Sequence, residues 1–146
     1  MGKYRKLSHV VYKCDYHIVW VPKYRYRILT GEIKKLVEED LKLLCEWKGC
    51  EIQEMSVQVD HIHLVVSIPP KVSVSSLMGV LKGKLAIKLF KSYPQMKEKL
   101  YWGNHFWVRG YFVSTVGIDE DLIKRYVAYQ EKEEKQMEEQ QHKFEF

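Results

Sequence analysis

Residues 61–68 read His-Ile-His-Leu-Val-Val-Ser-Ile, and Pro69-Pro70 follow at once. In an extended strand, successive side chains point to opposite faces. Ile62, Leu64, Val66 and Ile68 therefore share one face, and it is wholly aliphatic. His61, His63, Val65 and Ser67 share the other. An aliphatic row of this length has to be covered, so the strand belongs to a sheet with helices on one side. Both histidines then go to the opposite side. At roughly 3.3 Å of rise per residue their Cα atoms are about 6.7 Å apart. Two imidazoles at that spacing can converge on one metal ion, with bonds of about 2.0–2.2 Å. Taken alone, His-x-His is a weak signal, better explained by two unrelated histidines on a half-buried strand.

The rest of the chain supplies the partners such a strand requires. Residues 10–21 are rich in Val, Ile, Tyr and Trp and read as one long strand stopped by Pro22. Residues 32–48 carry Ile33, Leu36, Val37, Leu41 and Leu44 at helical spacing, with Gly49 as the stop. Residues 50–59 form a second strand, in which a change of phase between Ile52 and Met55 signals a bulge. The short link at Asp60 joins it to 61–68 as a hairpin. Residues 74–92 make a helix with Leu77, Leu81, Leu85 and Leu89 in one stripe. Residues 106–116 read as a fourth strand kinked at Gly110, and Asp119 as the N-cap of a helix from about 120 to at least 136. The expected fold is α+β: a ferredoxin-like βαββαβ antiparallel sheet with helices on one face, plus a C-terminal helix. The other face is expected to be open, as in many nucleic-acid binders. The 146 residues suit one domain, 1–146, ending in a polar tail from about 132.

Charge is unevenly spread. Residues 119–146 hold nine acids and five bases, a balance of −4, so residues 1–118 carry +9 to give the net +5. A basic body suits a polyanion. No apolar run approaches the roughly 20 residues of a bilayer span, and the N-terminus lacks the apolar stretch of a signal peptide. Cys14, Cys45 and Cys50 form no CxxC pair and read as free thiols. A cytoplasmic protein without membrane partners is expected.

In the last helix, Tyr126 and Gln130 are four residues apart and share a face. A tyrosine with a pKa of about 10 is a poor nucleophile at neutral pH. A nearby cation would stabilise its phenolate and polarise a phosphate oxygen. Gln130 offers that cation a neutral oxygen. Tyr129 has the same chemistry on a different face, and periodicity does not decide between the two. His17 and His105 read as structural. Asp60 serves equally well to shape the turn or to orient a histidine ligand.

Taken together these residues resemble the single-tyrosine HUH transposases of the smallest bacterial and archaeal insertion sequences. The two histidines flanking an apolar residue match His61-Ile62-His63. The catalytic tyrosine and the glutamine four residues later match Tyr126 and Gln130. YHIVWVPKYR (16–25), QVDHIHLVVSIPP (58–70), SSLMGVLKGK (75–84) and GYFVSTVG (110–117) match as well, so the resemblance runs from about residue 8 to 131. It implies Tyr126 as nucleophile, and His61, His63 and Gln130 as ligands of Mg²⁺ or Mn²⁺. It also implies a homodimer in which one subunit's tyrosine helix can complete the other's site. The implied substrate is single-stranded DNA with hairpins at the element's ends, cut through a 5′-phosphotyrosine. Lys23, Arg25, Lys82 and Lys84 are candidate DNA contacts, with Tyr24 and Trp107 as candidate base-stacking rings. A non-catalytic RRM-like RNA-binding module would instead place aromatics where this sheet has histidines.

Overall fold

The computed structural model describes residues 4–101 and 105–144, with side chains described to residue 140. The basic start Met1–Lys3 and the last two residues of the polar tail lie outside the described residues. The chain order is β1 (Arg5–Leu7), β2 (Val10–Tyr12), β3 (Asp15–Trp20), α1 (Gly31–Trp47), β4 (Glu51–Gln58), β5 (His61–Ser67), α2 (Val74–Ser92), β6 (Phe112–Ser114) and α3 (Glu120–Phe144). The main sheet is antiparallel, in the order β4-β5-β3-β6. With α1 and α2 on one face, this is the expected ferredoxin-like arrangement.

Strand alternation builds the main core. Ile62, Leu64, Val66 and Ile68 are buried with Ile18 and Trp20 of β3, Val37, Leu41 and Cys45 of α1, and all four leucines of the α2 stripe. The α2 boundaries follow from local chemistry: Ser73 caps the start by accepting the Ser76 N–H at 3.0 Å. Gly49, at φ +71°, ends α1 in a conformation that glycine adopts without strain. The bulge in β4 falls between Ile52 and Glu54.

Three expectations change. Residues 10–21 are not one strand. β2 turns back on β1 as a separate two-stranded hairpin, and β3 begins at Asp15. The predicted strand 106–116 is likewise interrupted. Only Phe112–Ser114 pairs with β3, and Gly110 sits at φ +88°. Before that kink, Val108 donates to the Val21 carbonyl at 2.9 Å, and Phe106 accepts from the Lys23 N–H at 2.8 Å. Alternating composition predicted extended backbone correctly at both places, but did not show where pairing stops.

The third change concerns the sheet's far face, which is not bare. Val19 and Val21 are buried there with Val108, and Ile123 and Val127 of α3 cover them, with Phe112, Ile118 and Tyr126 packed around. Aliphatic side chains on that face need a cover, and α3 provides it. Asp119 caps this helix as expected, accepting the Leu122 N–H at 2.8 Å. The polar tail continues α3 to Phe144.

Leu64 is fully buried at the centre of the main core. Leu64→Ala should cost about 2–5 kcal/mol, the range for buried leucine truncations. An unchanged denaturant midpoint would contradict this packing.

Candidate functional site

The candidate residues lie on β5 and on α3, and α3 packs over Val19 of β3 and Phe112 of β6 on the far face. The β3–β5 register sets Val19 opposite His63, and the β3–β6 register sets Phe112 opposite Val19. His63, Val19 and Phe112 thus make a row across the sheet. The Tyr126 ring packs at the Phe112 end of the row, with ring centroids 5.7 Å apart. Gln130 lies one helical turn further on and is half-buried.

The two tyrosines that spacing left open are now distinguished. Tyr129 is 55% exposed and donates its hydroxyl to Glu133 at 2.6 Å. Tyr126 is half-buried, and burial, helped by the Glu133 charge, pushes its phenol up to about 12. Tyr126 is therefore the one that faces the sheet.

Each histidine of the pair has its own orienting contact. His61 Nδ1 lies 2.9 Å from Asp60 Oδ1, so a proton on Nδ1 leaves Nε2 as the free lone pair. Asp60 therefore sits in the β4–β5 turn and also contacts the histidine. Burial would raise the Asp60 carboxyl, but hydrogen bonds from His61 and Arg25 outweigh it and hold the group below its ordinary value. His63 Nε2 lies 3.4 Å from Nδ1 of His17, with ring centroids 5.6 Å apart. Burial, reinforced by His17, lowers His63 below the ordinary imidazole range and so favours the neutral ring. His17, which reads as structural from sequence, is buried and touches a candidate ligand directly. His105 is exposed.

Among the described residues, no group of three or more His, Cys, Asp or Glu is placed to hold a metal. A cation at His61 and His63 would need another kind of third donor, and the Gln130 amide is of that kind. Neutral imidazoles and an amide add no negative charge, so a divalent ion held by them would keep its full charge toward a phosphate.

The candidate DNA contacts have diverse employment. Lys23 donates to Glu134 at 3.3 Å. Arg25 donates from Nε to Asp60 and from Nη1 to Glu131, both at 2.9 Å. Lys82 donates to the carbonyls of Val108 and Gly110, both at 2.8 Å, and burial lowers its pKa. Lys84 is exposed. Trp107 cannot stack on bases from where it lies: it is 5% exposed, packed against Trp20 and Phe106, and donates to the Lys82 carbonyl at 3.0 Å. Sequence reasoning missed the contacts between the Lys23–Arg25 turn and the acids of α3. Their only signal was the opposite charge of the two segments.

Burial of Tyr126 has a consequence at high pH. Its folded pKa is raised, so above about pH 10 the unfolded chain loses a proton that the folded chain keeps. Stability is lost as pH rises from there toward about 12. Tyr126→Phe should lose less stability than wild type across that window in denaturant melts. Equal losses would show that Tyr126 is not held in this environment.

The chain is similar in sequence and fold to known proteins. The family model described as "Transposase IS200 like" matches residues 10–130. The transposase for insertion sequence element IS200 of Salmonella typhimurium is 44% identical over 135 residues, covering 92% of this chain and 88% of that protein. The ISDra2 transposase TnpA of Deinococcus radiodurans is 35% identical over 125 residues, covering 85% and 89%. The fold also matches a crystal structure of a Deinococcus radiodurans protein described as a transposase, with TM-score 0.76, 28% identity, and coverage of 86% of this chain and 97% of that one. A REP-associated tyrosine transposase bound to a REP hairpin shares the fold at TM-score 0.55 and 15% identity, covering 88% and 70%. No described helix is long and apolar enough to cross a membrane. With most of its length matched by the family model and by relatives of this similarity, the chain belongs to the IS200-like transposase family.

Proposed function

We propose that this chain cuts and rejoins single-stranded DNA at insertion-sequence ends, with Tyr126 as the nucleophile. The observation that carries this reading is the docking of Tyr126 on the sheet face that also presents His61 and His63. The Tyr126 hydroxyl oxygen attacks the scissile phosphorus. An oxygen–phosphorus bond to tyrosine forms as the bond to the departing 3′-oxygen breaks; the phenol loses its proton and the departing oxygen takes one up, so protons balance. The product is a 5′-phosphotyrosine and a free 3′-hydroxyl. The new ester conserves the broken phosphodiester, so a 3′-hydroxyl can reverse the step without ATP.

His61, His63 and Gln130 would hold Mg²⁺ or Mn²⁺. Such an ion would offset charge developing on the phosphate and favour the phenolate over the phenol. The protein's own part is orientation. Asp60 fixes the His61 ring, burial keeps His63 neutral, and Phe112 seats the Tyr126 ring.

DNA hairpins near the element's ends are the proposed substrate. The REP-associated transposase that shares this fold is bound to a REP hairpin, which supports that substrate class. Lys84, exposed on α2, is the candidate for a phosphate contact. A cytoplasmic homodimer completes the reading. Docking of α3 on its own sheet supports a Tyr126 that serves its own chain's histidines, and an exchange of helices between subunits would use the same contacts.

The purified protein with Mn²⁺ should form a covalent adduct with single-stranded hairpin DNA carrying an element end, read as a shifted band on a denaturing gel. Tyr126→Phe should abolish the adduct, while Tyr129→Phe should retain it. An adduct that persists in Tyr126→Phe would sink the assignment. Full activity in EDTA would remove the metal from the mechanism.

A further inference from the structure

Arg25 stands where two sets of contacts meet. Its Nε reaches Asp60 and its Nη1 reaches Glu131, each at 2.9 Å. Asp60 divides its oxygens: Oδ2 takes the Arg25 bond and Oδ1 faces His61 Nδ1. An unbroken line therefore runs from α3 through Arg25 and Asp60 to the first histidine of the pair. We propose that Arg25 is a positioning residue that couples the orientation of His61 to the docking of the tyrosine helix, and that its role is this coupling rather than DNA contact. The proposal rests on the reading that His61 and His63 hold a divalent ion.

The planar guanidinium makes the coupling specific. It donates to two carboxylates from fixed directions, which the point charge of a lysine does not reproduce. Asp60 and Glu131 belong to different elements, the β4–β5 turn and α3, so one rigid fork sets their relative position. The backbone is shaped to deliver it. Tyr24 and Arg25 sit at φ 62° and 53°, two successive non-glycine residues in the left-handed region. Such strain persists only where surrounding contacts over-determine it.

Those contacts are present. The Arg25 N–H donates to the Pro22 carbonyl at 2.9 Å, and the Lys23 N–H to the Phe106 carbonyl at 2.8 Å. Glu134 accepts from both the Tyr24 N–H and the Lys23 ammonium, and it is only 7% exposed. Glu131 and Glu134 are three residues apart on α3, so one helix face meets the turn twice.

Gln130 adjoins Glu131, and Tyr126 lies one turn before Gln130. A shift of α3 that frees Glu131 moves the amide and the phenol together. Two events biased by one set of contacts must bias each other. Loss of the Arg25 fork should weaken ion binding at His61, and ion binding should in turn tighten α3.

The test uses the full chain: wild type, Arg25→Lys and Glu131→Ala. Mn²⁺ affinity is read by the EPR signal of free Mn²⁺, and α3 protection by hydrogen exchange with and without Mn²⁺. In wild type, Mn²⁺ should bind and slow exchange over residues 120–134. Both variants should bind Mn²⁺ about 10-fold more weakly, the lower end of losses seen when a ligand's supporting contact is removed. The Mn²⁺-induced protection of α3 should disappear in both, while α1 and α2 exchange as in wild type. If Arg25→Lys does not fold, Glu131→Ala decides, because its carboxylate sits on the partly exposed flank of α3.

Mn²⁺ affinities within twofold of wild type would overturn the coupling. So would a fall in hairpin-DNA affinity in EDTA for Arg25→Lys with none for Glu131→Ala, which would make Arg25 a DNA contact. A wild type that takes up no Mn²⁺ would overturn the metal reading itself, and the coupling with it.

Discussion

The two-faced character of β5 is the constraint on which the rest of the structure depends. The strand lies inside the sheet, paired to β4 on one side and β3 on the other, so its register is fixed along both edges. A slip of one residue would carry His61 and His63 into the helical core and expose Ile62, Leu64 and Val66. The free energy of burying that aliphatic row, roughly 1.5–3 kcal/mol for each side chain, opposes the slip. The hydrophobic effect, which has no direction of its own, is thereby converted into the placement of two imidazoles. Chemistry on one face is held in position by packing on the other.

The far face is organised by forces of a different balance. Ion pairs that remain partly exposed contribute about 0–1 kcal/mol each, so Arg25–Glu131 cannot by itself hold a helix to a sheet. Burial of Ile123 and Val127 against Val19, Val21 and Val108 does that. Apolar burial is non-directional and does not by itself fix a helix's angle. The polar contacts at Glu131 and Glu134 restrict that angle, since a planar fork and a buried carboxylate each accept few geometries. Apolar burial supplies the affinity of α3 for the sheet, and the charged contacts supply its angle. The charge division of the sequence fits this scheme, because an acidic helix meets a basic turn.

How far the sequence could be read depended on the range of each interaction. Periodicity and caps are local, and they placed α2, the bulge in β4 and the Asp119 cap closely. Extended backbone near Lys13 and Gly110 was visible, but the ends of pairing were not, since a strand ends where its neighbour leaves. The two histidines and their face followed from alternation alone. The choice of Tyr126 over Tyr129 did not; it came from the family resemblance, and in the fold Tyr126 is the one packed against Phe112. The contacts of Lys23 and Arg25 with α3 join segments at opposite ends of the chain, and no local pattern encodes them. Basic residues in a matched motif looked like phosphate contacts because sequence shows a charge but not its counter-charge.

Tyr126 combines two demands that ordinarily conflict. As a packing residue it is half-buried against Phe112, and burial keeps its phenol protonated far above neutral pH. As the proposed nucleophile it must become phenolate-like beside DNA. These demands are compatible if ionisation is favoured only when a cation and a phosphate are both present. Without them the side chain is an inert part of the far-face cluster. The same docking of α3 that silences Tyr126 also brings it to the histidine face, with Gln130 one turn away. Under the proposed function, that docking would place the phenol ahead of the reaction, and a bound ion and DNA would have only to favour the phenolate. In that reading the raised phenol pKa is no defect of the site, because it confines nucleophilic character to the assembled complex.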